Sequence, residues 1–250
     1  MLLPGKVESL LLDKVRRMGT ICAALIDPED FSLADAAAVA SACQKSGVSL
    51  ILVGGSTIAD QRQLDSVVRR VKKTVRCPVI LFPGNITGVS QYADAILFSC
   101  LLNSTNPYFI IGAQALGALK VYKSELESIP MGYLVFGNAS STSFVGQTNS
   151  IPFDKPGIAL MYSLAAQYLG MRTLYLEAGS GSSETVPPET IKTVRKHYSG
   201  LLIVGGGITS QDRAREVSRA GADMIVIGNL LKKEGFEPTL TGIIESIRHR

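Results

Sequence analysis

The stretch LLIVGGGITSQDRAREVSRAGADMIVIGN, Leu201–Asn229, decides the fold. Leu201–Gly207 is apolar throughout rather than alternating, which suits a strand covered on both faces. Three glycines, Gly205, Gly206 and Gly207, end it. Gln211–Ala220 then carries a helical pattern, and Gly221 supplies the stop. A second apolar run, Ala222–Gly228, follows. A doubly covered strand, a helix and another doubly covered strand make one βαβ unit of a parallel sheet.

Six more such strands precede it: Thr20–Asp27, Ser49–Gly55, Pro78–Gly84, Ala95–Leu101, Met131–Gly137 and Thr173–Gly179. Helical patterns separate most of them, at Ser32–Ser46, Asp60–Val75, Pro107–Lys123, Gly157–Leu169 and Pro188–Tyr198. Eight strands alternating with helices over 250 residues imply an α/β fold, a closed (β/α)8 barrel. No linker or composition shift divides residues 1–250, which are read as a single domain. Two connections are irregular. Asn85–Asp94 is too short for a helix with two loops, so the third barrel helix is expected to be missing or reduced, leaving an apolar groove. Asn138–Pro156 is a long polar loop after the fifth strand, a candidate lid or binding segment.

Composition removes several function classes. No apolar run reaches the ~20 residues that span a bilayer, and the N-terminus, with Glu8 and Asp13 among its cations, fits an amphipathic helix better than a signal peptide. A cytoplasmic protein is expected. The net charge is +4 without a long basic tract, which gives little support to nucleic-acid binding. Cys22, Cys43, Cys77 and Cys100 lack metal-site spacing and read as buried free thiols. His197 and His249 lie in charged helical stretches, which disfavours a histidine-based triad.

In such barrels the active site lies at the C-terminal ends of the strands. The glycines at 205–207 and the Gly228-Asn229 corner occupy the usual phosphate site of the fold, after strands seven and eight; their alternative role is to make tight turns. Asp27 ends strand one. It is either a ligand for Mg²⁺ held with substrate phosphates or a turn residue before Pro28. Ser56, after strand two, offers a hydroxyl to the same metal or caps a turn. Glu177 ends strand six in Tyr175-Leu176-Glu177-Ala178-Gly179-Ser180-Gly181. It is placed to take a proton from a hydroxyl, or to order its own loop.

With these residues assembled, the chain resembles the geranylgeranylglyceryl phosphate synthase family, the barrel prenyltransferases of archaeal ether-lipid synthesis. The similarity is carried by Ala24–Glu29, Ile51–Ser56, Val79–Asn85, Asn106–Gln114, Tyr175–Gly181, Ile203–Ile208 and Ile227–Asn229, and by the short third connection. The resemblance implies transfer of a geranylgeranyl group from its diphosphate to the 3-hydroxyl of sn-glycerol 1-phosphate, with Mg²⁺ and release of pyrophosphate. It implies that Asp27 and Ser56 hold Mg²⁺. Tyr175, Leu176, Glu177, Ala178, Gly179, Ser180, Gly181, Gly205, Gly206, Gly207, Gly228 and Asn229 would bind glycerol phosphate, with Glu177 beside the attacking hydroxyl. It also implies a homo-oligomer; an amphiphilic product allows transient membrane contact. Tyr92, Phe98, Tyr108 and Phe109 are candidate walls for a prenyl groove, and Tyr175 a candidate cover. The competing readings are another phosphate-binding barrel enzyme and a non-catalytic phosphate-binding barrel.

Overall fold

The computed structural model describes residues 3–55, 60–137 and 140–248. Eight parallel strands close into a barrel in chain order: β1 Ile21–Ile26, β2 Leu50–Val53, β3 Val79–Leu81, β4 Ala95–Leu101, β5 Glu127–Val135, β6 Thr173–Glu177, β7 Leu201–Gly205 and β8 Met224–Ile227. The alternation of side chains along each strand separates two cores. Ala23, Leu50, Leu52, Ile80, Met131, Tyr175, Ile203 and Val226 fill the interior. Ala24, Ile51, Leu81, Leu134, Leu176, Val204 and Ile225 face the helices outside.

The helical layer consists of α1 Lys6–Met18, α2 Leu33–Ser46, α3 Gln61–Thr74, α4 Ala113–Lys123, α5 Ser141–Gly146, α6 Pro156–Tyr168, α7 Pro188–His197, α8 Gln211–Ala220 and α9 Glu237–Ile247. The first is not part of the ring. Leu11, with Val7, Leu12, Val15 and Met18, packs against the interior cluster and closes the N-terminal end of the barrel. Gly5 gives α1 no side-chain cap; instead the Glu127 carboxylate at the start of β5 accepts from Val7 N at 2.7 Å and Glu8 N at 2.8 Å. Arg172, just before β6, pairs with Glu8 through two nitrogens at 2.8 and 2.7 Å.

After β3 the chain makes only a 3₁₀ turn at Ile86–Gly88 before β4, as the short connection predicts. Two expectations needed correction. β5 begins at Glu127, four residues before Met131, because β4 runs seven residues and pairs along its whole length, Ala95 with Glu127 and Phe98 with Pro130. Glu, Ser and Pro are poor strand formers, and pairing overrides that preference. The expected polar loop after β5 contains α5, whose start is fixed by a capping box: Ser140 Oγ accepts from Ser143 N at 3.1 Å, and Ser143 Oγ from Ser140 N at 2.6 Å.

Candidate active site and the cleft beside it

Strand parity decides which residues reach the barrel mouth. Tyr175 and Glu177 are two apart on β6, and Tyr175 faces inward, so Glu177 does too; Leu176 between them faces the helices. The same parity turns Asp27 inward beyond Leu25. Leu176 and Ala178, 0% and 4% exposed in the outer core, therefore have only backbone to offer a ligand at the mouth. Tyr175 is 1% exposed, stacked on Phe82 with centroids 5.2 Å apart and edge-on to Tyr133 at 5.0 Å; it forms the floor below the mouth rather than a cover.

Glu177 is buried. Its Oε1 accepts from Gly179 N at 2.7 Å and its Oε2 from the Tyr133 hydroxyl at 3.3 Å. Burial pushes its carboxyl above the ordinary range, while hydrogen bonds from Gly179 N and the Tyr175 and Tyr133 hydroxyls pull it back. Both phenols are themselves held well above their ordinary values, by burial first and then by the charge of Glu177, so they stay protonated donors. A carboxylate with raised proton affinity, held by three donors, is suited to accept a proton.

The glycine corners of β6, β7 and β8 converge beside it. At Gly206, φ is +85° and a Cβ would lie 2.8 Å from Glu177 Oε1 and 2.9 Å from Gly179 N, so only glycine lets the two corners meet. Arg213 Nη1 donates to Gly207 O at 2.9 Å, tying this corner to the first turn of α8. Ser180 Oγ lies 3.4 Å from Asn229 Oδ1, joining the β6 and β8 corners. Backbone N–H groups on the three corners, with the start of α8 behind them, are an arrangement suited to an anion, although Gly179 N is already given to Glu177.

Asp27 lies across the mouth. Its Oδ1 accepts from Glu29 N at 3.0 Å. Burial, and after it the charges of Asp30 and Glu29, hold its carboxyl above the ordinary range despite that hydrogen bond. A cation would relieve this. Among the described residues no group of three His, Cys, Asp or Glu side chains is arranged around a metal. One carboxylate facing a cleft fits a cation such as Mg²⁺, which keeps water and substrate phosphate as most of its ligands. Ser56 lies outside the described residues. Gly55 leaves the Asp27 carboxylate uncovered; a Cβ there would overlap it.

From this mouth a cleft runs out over the paired β3 and β4, between α3 and α4, where the third helix of the barrel is missing. Asp27, Gly55, Glu177, Ser180 and Tyr133 line its inner end. Beyond them come Pro83, Ile86, Val89, Ile96, Phe98, Phe109, Ala113, Gly117 and Val121, almost all apolar. A π-helical turn, Tyr108–Gly112, leads directly into α4, and Phe109 within it and Gln114 just after it line this wall. Gln114 Nε2 donates to Ser99 O at 2.6 Å, while its Oε1 is buried without a partner among the described residues. Thr142, Val145 and Gly146 of α5 cover the cleft near the mouth.

Of the four expected wall aromatics, Phe98 and Phe109 line the cleft. Tyr92 lies under the Arg69 guanidinium, 3.7 Å from its ring centroid, and Tyr108 packs edge-on to Phe109; neither faces the cleft. Sequence reading missed Tyr133, Phe82, Gln114 and Thr142. The signal for Tyr133 was its position: the one hydroxyl-bearing side chain in the apolar run Met131–Gly137. The four cysteines are free thiols, Cys22 and Cys43 buried as expected but Cys77 and Cys100 only half-buried; burial pushes Cys43 up to about 12 and Cys100 up to about 11, away from the thiolate form. His197 is exposed on α7, and His249 lies outside the described residues.

Residues 15–247 match the PcrB family. The chain belongs to that family. This PcrB-family chain is 50% identical over 244 residues to the geranylgeranylglyceryl phosphate synthase of Nitrosopumilus maritimus, covering 98% of both. It is 47% identical to the enzyme of that name from Methanothermobacter thermautotrophicus, covering 97% of this chain and 98% of the other. Among solved structures it is similar to (S)-3-O-geranylgeranylglyceryl phosphate synthase from Thermoplasma acidophilum in complex with its substrate sn-glycerol-1-phosphate, at 37% identity, TM-score 0.93 and 99% coverage of each chain. These relatives bear out the resemblance read from the sequence, and they are prenyltransferases by name. Among the described residues no helix of this PcrB-family protein is long and apolar enough to cross a membrane.

Proposed function

We propose that this PcrB-family enzyme transfers a geranylgeranyl group from geranylgeranyl diphosphate to the 3-hydroxyl of sn-glycerol 1-phosphate. The observation that carries the reading is the union of three features at one mouth: an anion cradle, a buried carboxylate and an apolar cleft. The cradle of Gly179–Gly181, Gly206–Gly207 and Gly228–Asn229 binds the glycerol phosphate. Glu177 takes the proton of the hydroxyl as its oxygen forms a bond to C1 of the prenyl group. The C1–O bond to the diphosphate breaks, its electron pair leaves with pyrophosphate, and the proton passes from Glu177 to solvent. Tyr133 and Tyr175 hold the carboxylate in position through their hydroxyls.

Asp27, with Ser56, would hold Mg²⁺, which supplies positive charge against the negative charge that develops on the leaving pyrophosphate. The hydrocarbon chain lies along Phe98, Phe109, Ala113 and Gly117. Each CH₂ it buries there contributes about 0.8 kcal/mol. One catalytic domain in the cytoplasm, acting as a homo-oligomer with transient membrane contact, belongs to the same reading. The exposed Leu119 and Tyr122 of α4 and Met161 and Tyr168 of α6 support association with another surface.

The test is incubation with sn-glycerol 1-phosphate, labelled geranylgeranyl diphosphate and Mg²⁺, followed by butanol extraction. Extractable label is expected from the wild type. Glu177→Gln should lower turnover by about 10²–10⁴-fold while still binding glycerol phosphate. Undiminished turnover in that variant removes Glu177 as the base, and no product from the wild type removes the reaction.

A further inference from the structure

The wall of the cleft on α4 is made by Ala113, Gly117 and Val121, three residues on one helical face. The opposite wall is the segment 83–89 that replaces the missing helix. The mouth lies at Asp27 and Glu177, at the C-terminal ends of their strands; Ile96, second in β4, and Val121, in the last turn of α4, line the cleft toward the N-terminal end of the barrel, in one cluster with Val89. At that end one polar link crosses from wall to wall. Lys120, next to Val121, donates from Nζ to Gln61 Oε1. Gln61, the first residue of α3, donates from Nε2 to Val89 O at 2.5 Å. The chain of contacts therefore runs α4–Lys120–Gln61–Val89. Desolvation draws the Lys120 amine below its ordinary value, and the Asp65 charge opposes that.

We infer that Lys120 and Gln61 form a strap closing the far end of the cleft, and that this strap sets the longest prenyl chain the protein accepts. The inference rests on the reading that the cleft holds the prenyl chain. A regular barrel has a helix between α3 and α4 at this place. Here two side chains fill its role, and a longer hydrocarbon can pass out between the helices only by parting them. Lys120 is exposed and Gln61 half-buried, so either can be shortened without opening the core.

Lys120→Ala and Gln61→Ala are compared with wild type and with Lys123→Ala, an exposed control on the same helix, using geranylgeranyl, geranylfarnesyl and hexaprenyl diphosphates. The readout is kcat/KM for each longer donor divided by that for geranylgeranyl diphosphate. Both strap variants should raise this ratio by about tenfold or more, while Lys123→Ala leaves it at the wild-type value. An unchanged ratio in both strap variants, with geranylgeranyl transfer still measurable, overturns the strap. An equal rise in Lys123→Ala also overturns it, by showing a general loosening of α4. A wild type that transfers no prenyl group at all overturns instead the functional reading beneath it.

Discussion

Gly117 offers a direct probe of the cleft. It sits mid-way along α4 and faces the groove, and a Cβ built there meets nothing within 4 Å. Gly117→Leu therefore starts its side chain in open space and extends it into the groove. The helix itself should gain, since leucine is favoured over glycine in a helix interior by up to about 1 kcal/mol. The bound hydrocarbon should lose. If the leucine displaces one isoprene unit from the wall, the loss at about 0.8 kcal/mol per carbon is about 4 kcal/mol, or roughly a thousandfold in kcat/KM for geranylgeranyl diphosphate. Geranyl diphosphate, too short to reach this depth, should lose little. The assay is initial rate with each donor at saturating glycerol phosphate, alongside a thermal melt. The expected result is a melting temperature at or above wild type, with selectivity shifted toward the short donor. Equal losses for both donors, or none for the long one, would refute the placement of the chain along α4.

The remaining predictions concern the base and the barrel floor. Glu177 must be ionised to accept a proton, so kcat/KM should rise with pH along an acidic limb lying above the ordinary glutamate value of 4.5. Tyr133→Phe removes a hydrogen bond that favours the ionised form, so the limb should move to higher pH; a limb that stays in place, measured as a pH–rate profile, would remove Tyr133 from this role. At the opposite end, Glu8→Ala removes the two-pronged ion pair with Arg172, the Glu8 and Arg172 side chains being 3% and 16% exposed, while the Glu127 charge still acts on the guanidinium. Unfolding in urea should show a loss of about 1.5–3 kcal/mol, the range for hydrogen bonds to a charged group, with turnover of the folded protein retained.

Much of the fold could be read before any coordinates. Thr20–Asp27, Leu201–Gly207 and Ala222–Gly228 are apolar on both faces, and that pattern is written residue by residue. Ser32, Asp60 and Ser210 mark helix starts, and each side chain accepts from a backbone N–H of the first turn. The missing third helix followed from counting residues between Gly84 and Ala95. The early start of β5 could not be read this way, because Glu127 and Pro130 are held in the strand by β4, not by their own preference. Nor could α5 be separated from its polar loop, since Ser140 and Ser143 look alike in a loop and in a capping box.

The site divides along the same line. Glu177, Asp27 and the three glycine corners were visible in the sequence because the fold assigns chemistry to strand ends, and each stands where an apolar run stops. Which neighbour donates to Glu177, which aromatics line the cleft and what closes its far end depend on residues far apart in the chain. Tyr133 lies 44 positions from Glu177, and Gln61 lies 59 from Lys120. Local sequence determined the strands, the caps and the strand-end carboxylates, since these follow from periodicity and backbone chemistry within a few residues. Barrel closure decided the rest, because only the inward turn of alternate residues and the gap between α3 and α4 bring those distant side chains to one place.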